Sequence, residues 1–209
     1  MAEAALAFTA AAGADWSGRD LAGVQARFCD LAGADLGGAT AAGSFWQHCS
    51  LRGVRLREAD LTDATLVDCD LSGADLRAAR LAGARLLRCS LESARLGDCE
   101  LDDATMVGCS LADAELHGVR NATTARDLVV EVLRRRAGDD LELLRWVGLV
   151  ALRRDWCYEE FAQALDGDPA LRAMALECFS ELPHSGLAEA LASPRQGALE
   201  SASGAPRGR

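Results

Sequence analysis

The chain has 209 residues, half of them apolar, and a formal net charge of −10. Aromatics make up only 5%, so its core must be built from Leu, Ala, Val and Cys, which suits a narrow, regular interior. All 22 basic residues are Arg, against 32 acids; that balance argues against a general nucleic-acid binder and permits a basic partner or a surface that imitates nucleic acid.

The first thirteen residues are Ala-rich and are read as an N-terminal cap segment. Glu3 stands where the basic stretch of a secretion signal would be, so no such signal is expected. No apolar run reaches the roughly eighteen residues of a membrane span, and a cytoplasmic protein is expected.

From residue 14 to about residue 120 neither a helical nor a strand period fits. Between residues 51 and 116 a Leu or Met falls on every fifth position, and the residue two before it is always Ala, Cys or Val. That describes a five-residue module with two inward and three outward positions, a short extended piece followed by a turn. The position two after the Leu is mostly Gly or Asp, as at Gly73, Gly83, Asp63 and Asp103, residues that tolerate positive φ or cap their own backbone. A longer period overlies the first: Cys29, Cys49, Cys69, Cys89 and Cys109 are twenty residues apart, four modules each time. Two early departures, Ala26 and Ala41 in place of Leu, are followed by Trp46; Ala26 and Trp46 share a column, and the large residue is read as filling space left by the small one.

Six Cys hold the small inward position: the five above and Cys99. Cβ atoms stacked about 4.8 Å apart are too distant for a disulfide and point the same way, which suits neither a disulfide nor a tetrahedral metal. They are read as small buried hydrophobes in a reducing compartment.

The phrases "ADLGG" (34–38), "ADLTD" (59–63), "CDLSG" (69–73) and "ADLRA" (74–78) resemble the pentapeptide-repeat family, whose pattern is A(D/N)LXX. The resemblance covers residues 14 to 120. It implies an all-β, right-handed quadrilateral β-helix of about five coils, on the order of 25 Å long. It also implies one function, since some members protect DNA gyrase or topoisomerase IV from inhibitors by presenting an acidic rod in imitation of duplex DNA. Net charge −10 agrees with that. Eleven Arg against seventeen acids in the repeats, with Arg55, Arg57, Arg77 and Arg95 on one face, agree less well.

The outward columns suggest two candidate surfaces. Phe45, Gln47, Val67, Leu87 and Val107 form an apolar strip and a candidate interface, covered either by the chain's own helices or by a partner or second copy. Asp60, Asp63, Glu100, Asp102 and Asp103, interrupted by Arg80, form a candidate acidic face.

The period changes at residue 121, and residues 121–192 are read as a small α-helical capping or interaction domain. A first helix is expected after a cap at Thr123 or Thr124, ending at Gly138. A second starts near Asp140, and its apolar residues 141–152 are expected at the buried centre of a bundle. A third ends at Gly167, a fourth begins with Asp168 and Pro169, and a short one spans 186–192. Trp146, Trp156, Tyr158 and Phe161 are either core or the wall of a groove. Residues 193–209 read as a disordered tail. The helices could cap the open strand edges of the rod and join two copies as a homodimer.

His48, His117 and His184 are far apart, and no phosphate loop or metal-ligand spacing stands out. No catalytic, cofactor-binding or metal residue is assigned. The expectation is a non-enzymatic protein–protein interaction scaffold that binds no nucleic acid directly, with a topoisomerase-binding DNA mimic as the alternative.

Overall fold

The computed structural model describes residues 5–7, 9–151 and 157–192. Residues 1–4, Trp156 and the tail 193–209 lie outside the described residues.

Six three-residue strands, β1 (Ala5–Ala7), β2 (Gln25–Arg27), β3 (Phe45–Gln47), β4 (Thr65–Val67), β5 (Arg85–Leu87) and β6 (Thr105–Val107), form one parallel sheet in chain order. Each pairs with the residue twenty later, as Leu66 does with Leu86. The other three sides are columns of parallel bridges at the same spacing: Ser50 to Asp70, Arg55 to Asp75, and Asp60 to Arg80. The repeat region is thus a four-sided β-solenoid of about five turns. β1 lies within the stretch read from sequence as a cap segment.

Backbone hydrogen bonds tie each coil to the next. Leu51 N donates to Asp70 O at 2.7 Å, and Arg55 N to Ala34 O at 2.9 Å. Turns separate these rungs. Ala34 N donates to Leu31 O at 3.0 Å, and Gly33 between them has φ +68°, the left-handed residue that a type II turn requires. Asp63, Asp68, Asp98, Asp103 and Asp113 also hold positive φ, as the repeat pattern predicts. The Asp before many Leu residues has a second task. Its carboxylate accepts from the amide two residues on, as at Asp60 to Thr62 (3.0 Å) and Asp35 to Gly37 (2.9 Å), so the "DL" of each phrase locks its own turn.

The interior is the Leu, Ala and Cys column set, nearly all of it buried. The thiols pack there as small groups that donate weakly to carbonyls: Cys89 Sγ to Leu66 O at 3.5 Å, Cys109 Sγ to Leu86 O at 3.4 Å. Burial pushes the Cys99 thiol up to about 12. Trp46 pairs in register with Ala26 and is buried, as its column predicts. Its indole Nε1 donates to the buried Ser44 Oγ at 2.7 Å, and Ser44 Oγ donates to Ala41 O. The small inward residue is a Ser here because the indole brings an N–H that needs an acceptor.

Five helices follow: α1 (Arg126–Ala137), α2 (Leu141–Ala151), α3 (Tyr158–Asp166), α4 (Pro169–Ser180) and α5 (Leu187–Ala192). α1 packs against β6, α2 and α4. Its N-cap is Ala125, without a side-chain cap bond, rather than Thr123 or Thr124. Tertiary docking overrides the capping signal: Ala125, Leu128 and Val129 are fully buried, and Asp127 Oδ2 accepts from Cys109 N at 2.6 Å, tying the helix to the last coil. Asp168 caps α4, accepting from Ala170 N and Leu171 N, as expected.

α2 departs from expectation. It is not the buried centre, since Leu141 is 79% exposed and, among its described side chains, Val147 and Val150 alone are buried. The middle of the domain is instead Phe161, Leu165, Ala175 and Phe179, with Tyr158 and Trp146 half-buried against Phe161 at 5.3 and 5.7 Å. The rod end is closed by the loop between α4 and α5. Asn121 N donates to His184 O and Ala122 N to Ser185 O, so this loop takes the place of the next rung. Among the described residues no helix is long and apolar enough to cross a membrane.

The Trp46 column gives a stability test. Trp46→Leu should cost roughly 2–4 kcal/mol in a denaturant titration, from the cavity it opens. Adding Ala26→Leu should restore part of it, because the regular Leu column is then rebuilt. Additive losses would mean that the two residues do not share one space.

Candidate protein-binding faces

The strand face brings the predicted interface residues together. Gln47, Val67, Leu87 and Val107 stand in one column, each in register with the next. Phe45 lies on the same face, two residues along β3 from Gln47. The described residues of the C-terminal helices do not bury this strip: Val107 is 37% exposed, and Gln47, Val67 and Leu87 are half-buried.

Sequence reasoning missed the cations beside it. Arg27 stands one coil before Gln47 in the same column, after Ala7, and sits over the Phe45 ring at 5.5 Å. Arg85 is exposed in the column on the other side of the strand centre. At the corner next to the strip, Phe28 stacks on His48 at 5.0 Å, His48 Nδ1 lies 3.8 Å from Asp68, and Asp68 takes Arg88 through two 2.7 Å bonds. The twenty-residue period held the signal, since Arg27 precedes Gln47 by one coil and Arg85 follows Thr65 by one coil.

The candidate acidic residues lie on a neighbouring face but divide by role. Asp60 and Glu100 share a column with two Arg in the order Asp60, Arg80, Glu100, Arg120. Arg80 reaches Asp60 at 3.4 Å and Glu100 at 3.6 Å, and Arg120 reaches Glu100 at 3.1 Å. Asp60 is also held by Thr62 Oγ1 at 2.6 Å, and that bond lowers its pKa below the usual carboxylate range. Asp102 accepts from Asn121 Nδ2 at 2.6 Å. Asp63 and Asp103 are exposed turn residues on the adjoining corner. The Arg face is paired in the same way: Arg55 meets Asp35 at 2.9 Å, Arg95 meets Glu115 at 3.1 Å, and Arg77 holds Asp75 below its usual pKa. From Asp35 and Asp60 onward, charges twenty residues apart therefore alternate along these two columns and neutralise one another locally. Among the described residues no group of three or more His, Cys, Asp or Glu is placed to hold a metal ion.

Residues 39–116 match the family model described as pentapeptide repeat region. The repeat part of the chain is a pentapeptide-repeat solenoid. No curated protein matches the chain. Solved structures resemble part of the chain. One is a trypsin-treated variant of QnrB1, a plasmid-mediated fluoroquinolone resistance protein (19% identity, 58% of this chain and 77% of that one, TM-score 0.43). Another is HetL, involved in heterocyst differentiation regulation in the cyanobacterium Nostoc sp. strain PCC 7120 (26% identity, 59% and 66%, TM-score 0.31). A third is a pentapeptide repeat protein from the thylakoid lumen of Arabidopsis thaliana (26% identity, 59% and 77%, TM-score 0.27).

The paired carboxylates set the response to acid. Asp68 is held below its usual pKa, first by its hydrogen bonds to Arg88. A carboxylate with a lower pKa folded than unfolded adds stability above its unfolded value, near 4, and loses it as pH falls through the folded value. The urea midpoint should therefore fall between about pH 5 and 2. Asp68→Asn, whose side chain tolerates the positive φ at that corner, should flatten part of that slope. An unchanged slope would mean that the ladder adds nothing to folding.

Proposed function

We propose that this protein is a non-enzymatic scaffold that binds a partner protein through the strand face. The observation that carries the reading is the in-register apolar column from Val67 to Val107, left uncovered by the described helices on a rigid, flat face. Exposed apolar residues on successive rungs are contact surface by default. They are also preorganised, because ladder bonds fix every rung. On this reading the helical domain closes the rod, and the exposed side of α2, led by Leu141, is where two copies would join as a homodimer. The thiol-rich interior supports a cytoplasmic site of action.

Val67→Glu and Leu87→Glu test the scaffold. Both point outward, so circular dichroism and the melting temperature should barely change, while recovery of the bound partner in a pull-down should drop at least tenfold. Unchanged recovery and unchanged solution mass would remove the strip as an interface.

The second reading is a DNA mimic that binds DNA gyrase or topoisomerase IV, protects it from inhibitors, and so confers antibiotic resistance. Net charge −10 and the six carboxylates on the Asp60 face favour it: Asp20, Asp60, Asp63, Glu100, Asp102 and Asp103. Arg80 and Arg120 within that face weigh against it, because they break the run of negative charge that phosphates would present. A mimic at micromolar excess should inhibit gyrase supercoiling or relieve a gyrase poison; neither effect would end this reading.

A further inference from the structure

We infer that the partner segment taken by the strand face is an acidic amphipathic helix lying along the solenoid axis. This rests on the scaffold reading and adds the chemistry of the occupant.

The strand face alone among the four carries no carboxylate on its flat part. Its two outward columns hold Ala5, Gln25, Phe45, Thr65, Arg85 and Thr105, and Ala7, Arg27, Gln47, Val67, Leu87 and Val107. The corresponding columns of every other side include several acids. On a chain of net charge −10 this face is therefore the electropositive one. Its cations border the apolar strip. Arg85 flanks it on one side and Arg27 stands at its end, while the other side carries the Arg88–Asp68 ion pair. Among the described residues neither Arg27 nor Arg85 has a carboxylate partner, whereas the Arg residues of the Asp60 face do. The nearest acid, Asp68, is occupied by both bonds from Arg88. Asp63 and Asp103 lie at the far edge, across the strand from the strip.

Spacing selects a helix. Rungs about 4.8 Å apart place Val67, Leu87 and Val107 at intervals close to the 5.4 Å pitch of an α-helix. Apolar residues at i, i+4 and i+7 of such a helix meet the three rungs in turn. Residues flanking that stripe then face Arg85 on one side and Arg27 at the end, so acids there gain complementary charge and bases are repelled, while Arg88 is already neutralised by Asp68. Arg27 and Arg85 are exposed, so the attraction is screened by salt and governs selection among partners more than total affinity.

A randomised helical-peptide library, selected against the full chain at low salt, tests this. The expected winners have apolar residues at i, i+4 and i+7 and are acidic on the flanks. Their binding should be abolished by Leu87→Glu and weakened about tenfold by Arg27→Glu with Arg85→Glu. Enrichment of neutral or basic peptides that Leu87→Glu still abolishes would overturn the acidic occupant and leave the scaffold reading standing. No enrichment, or winners indifferent to Leu87→Glu, would overturn both. A solution mass that falls from dimer to monomer on Leu87→Glu would assign the face to a second copy instead.

Discussion

The structure depends on one constraint: backbone amides and carbonyls on all four sides must find partners one coil away. A parallel ladder running through every side allows no slippage, because a shift of one residue would turn the Leu column outward and bring charges inside. Each coil encloses only a thin layer of side chains, so no coil can bury its interior alone and stability comes from stacking. The narrow core follows from the same geometry. One Leu and one small residue per side fill it, and Trp46 fits only because Ala26 makes room for it in the coil below.

The outer charges follow the same register. Twenty residues bring like columns together, so a column of one sign would repel itself at every rung. The chain alternates instead, as in Asp60, Arg80, Glu100 and Arg120. Exposed pairs of this kind are each worth little. Their effect is to leave the paired sides with small local fields, and against that background Arg27 and Arg85 of the strand face, without a carboxylate partner among the described residues, stand out.

Much of this was legible in the sequence. The five-residue period, the twenty-residue Cys column and the Gly and Asp turn positions identify the solenoid, because a regular backbone imposes a regular sequence. The outward columns could be grouped for the same reason, which is why Gln47, Val67, Leu87 and Val107 were found together. Of the cations beside them, Arg27 is hidden because it lies in an early coil where Ala26 breaks the Leu pattern, and Arg85 because it stands in the column on the other side of the strand centre from the apolar one. The start of α1 was misplaced because docking on the last coil, not a Thr side chain, sets it. The burial of α2 was overestimated because an apolar composition does not say which neighbours are present to cover it.

The loop between α4 and α5 borrows the backbone positions that a sixth turn would have used, at Asn121 and Ala122. At that end the rod cannot add a further copy by strand pairing, as an open parallel edge otherwise could. Growth at that end is therefore set by the gene rather than by an assembly equilibrium. Growth by evolution would have to occur inside the stack, in steps of one whole coil, since any other insertion would rotate the columns beyond it onto the wrong sides.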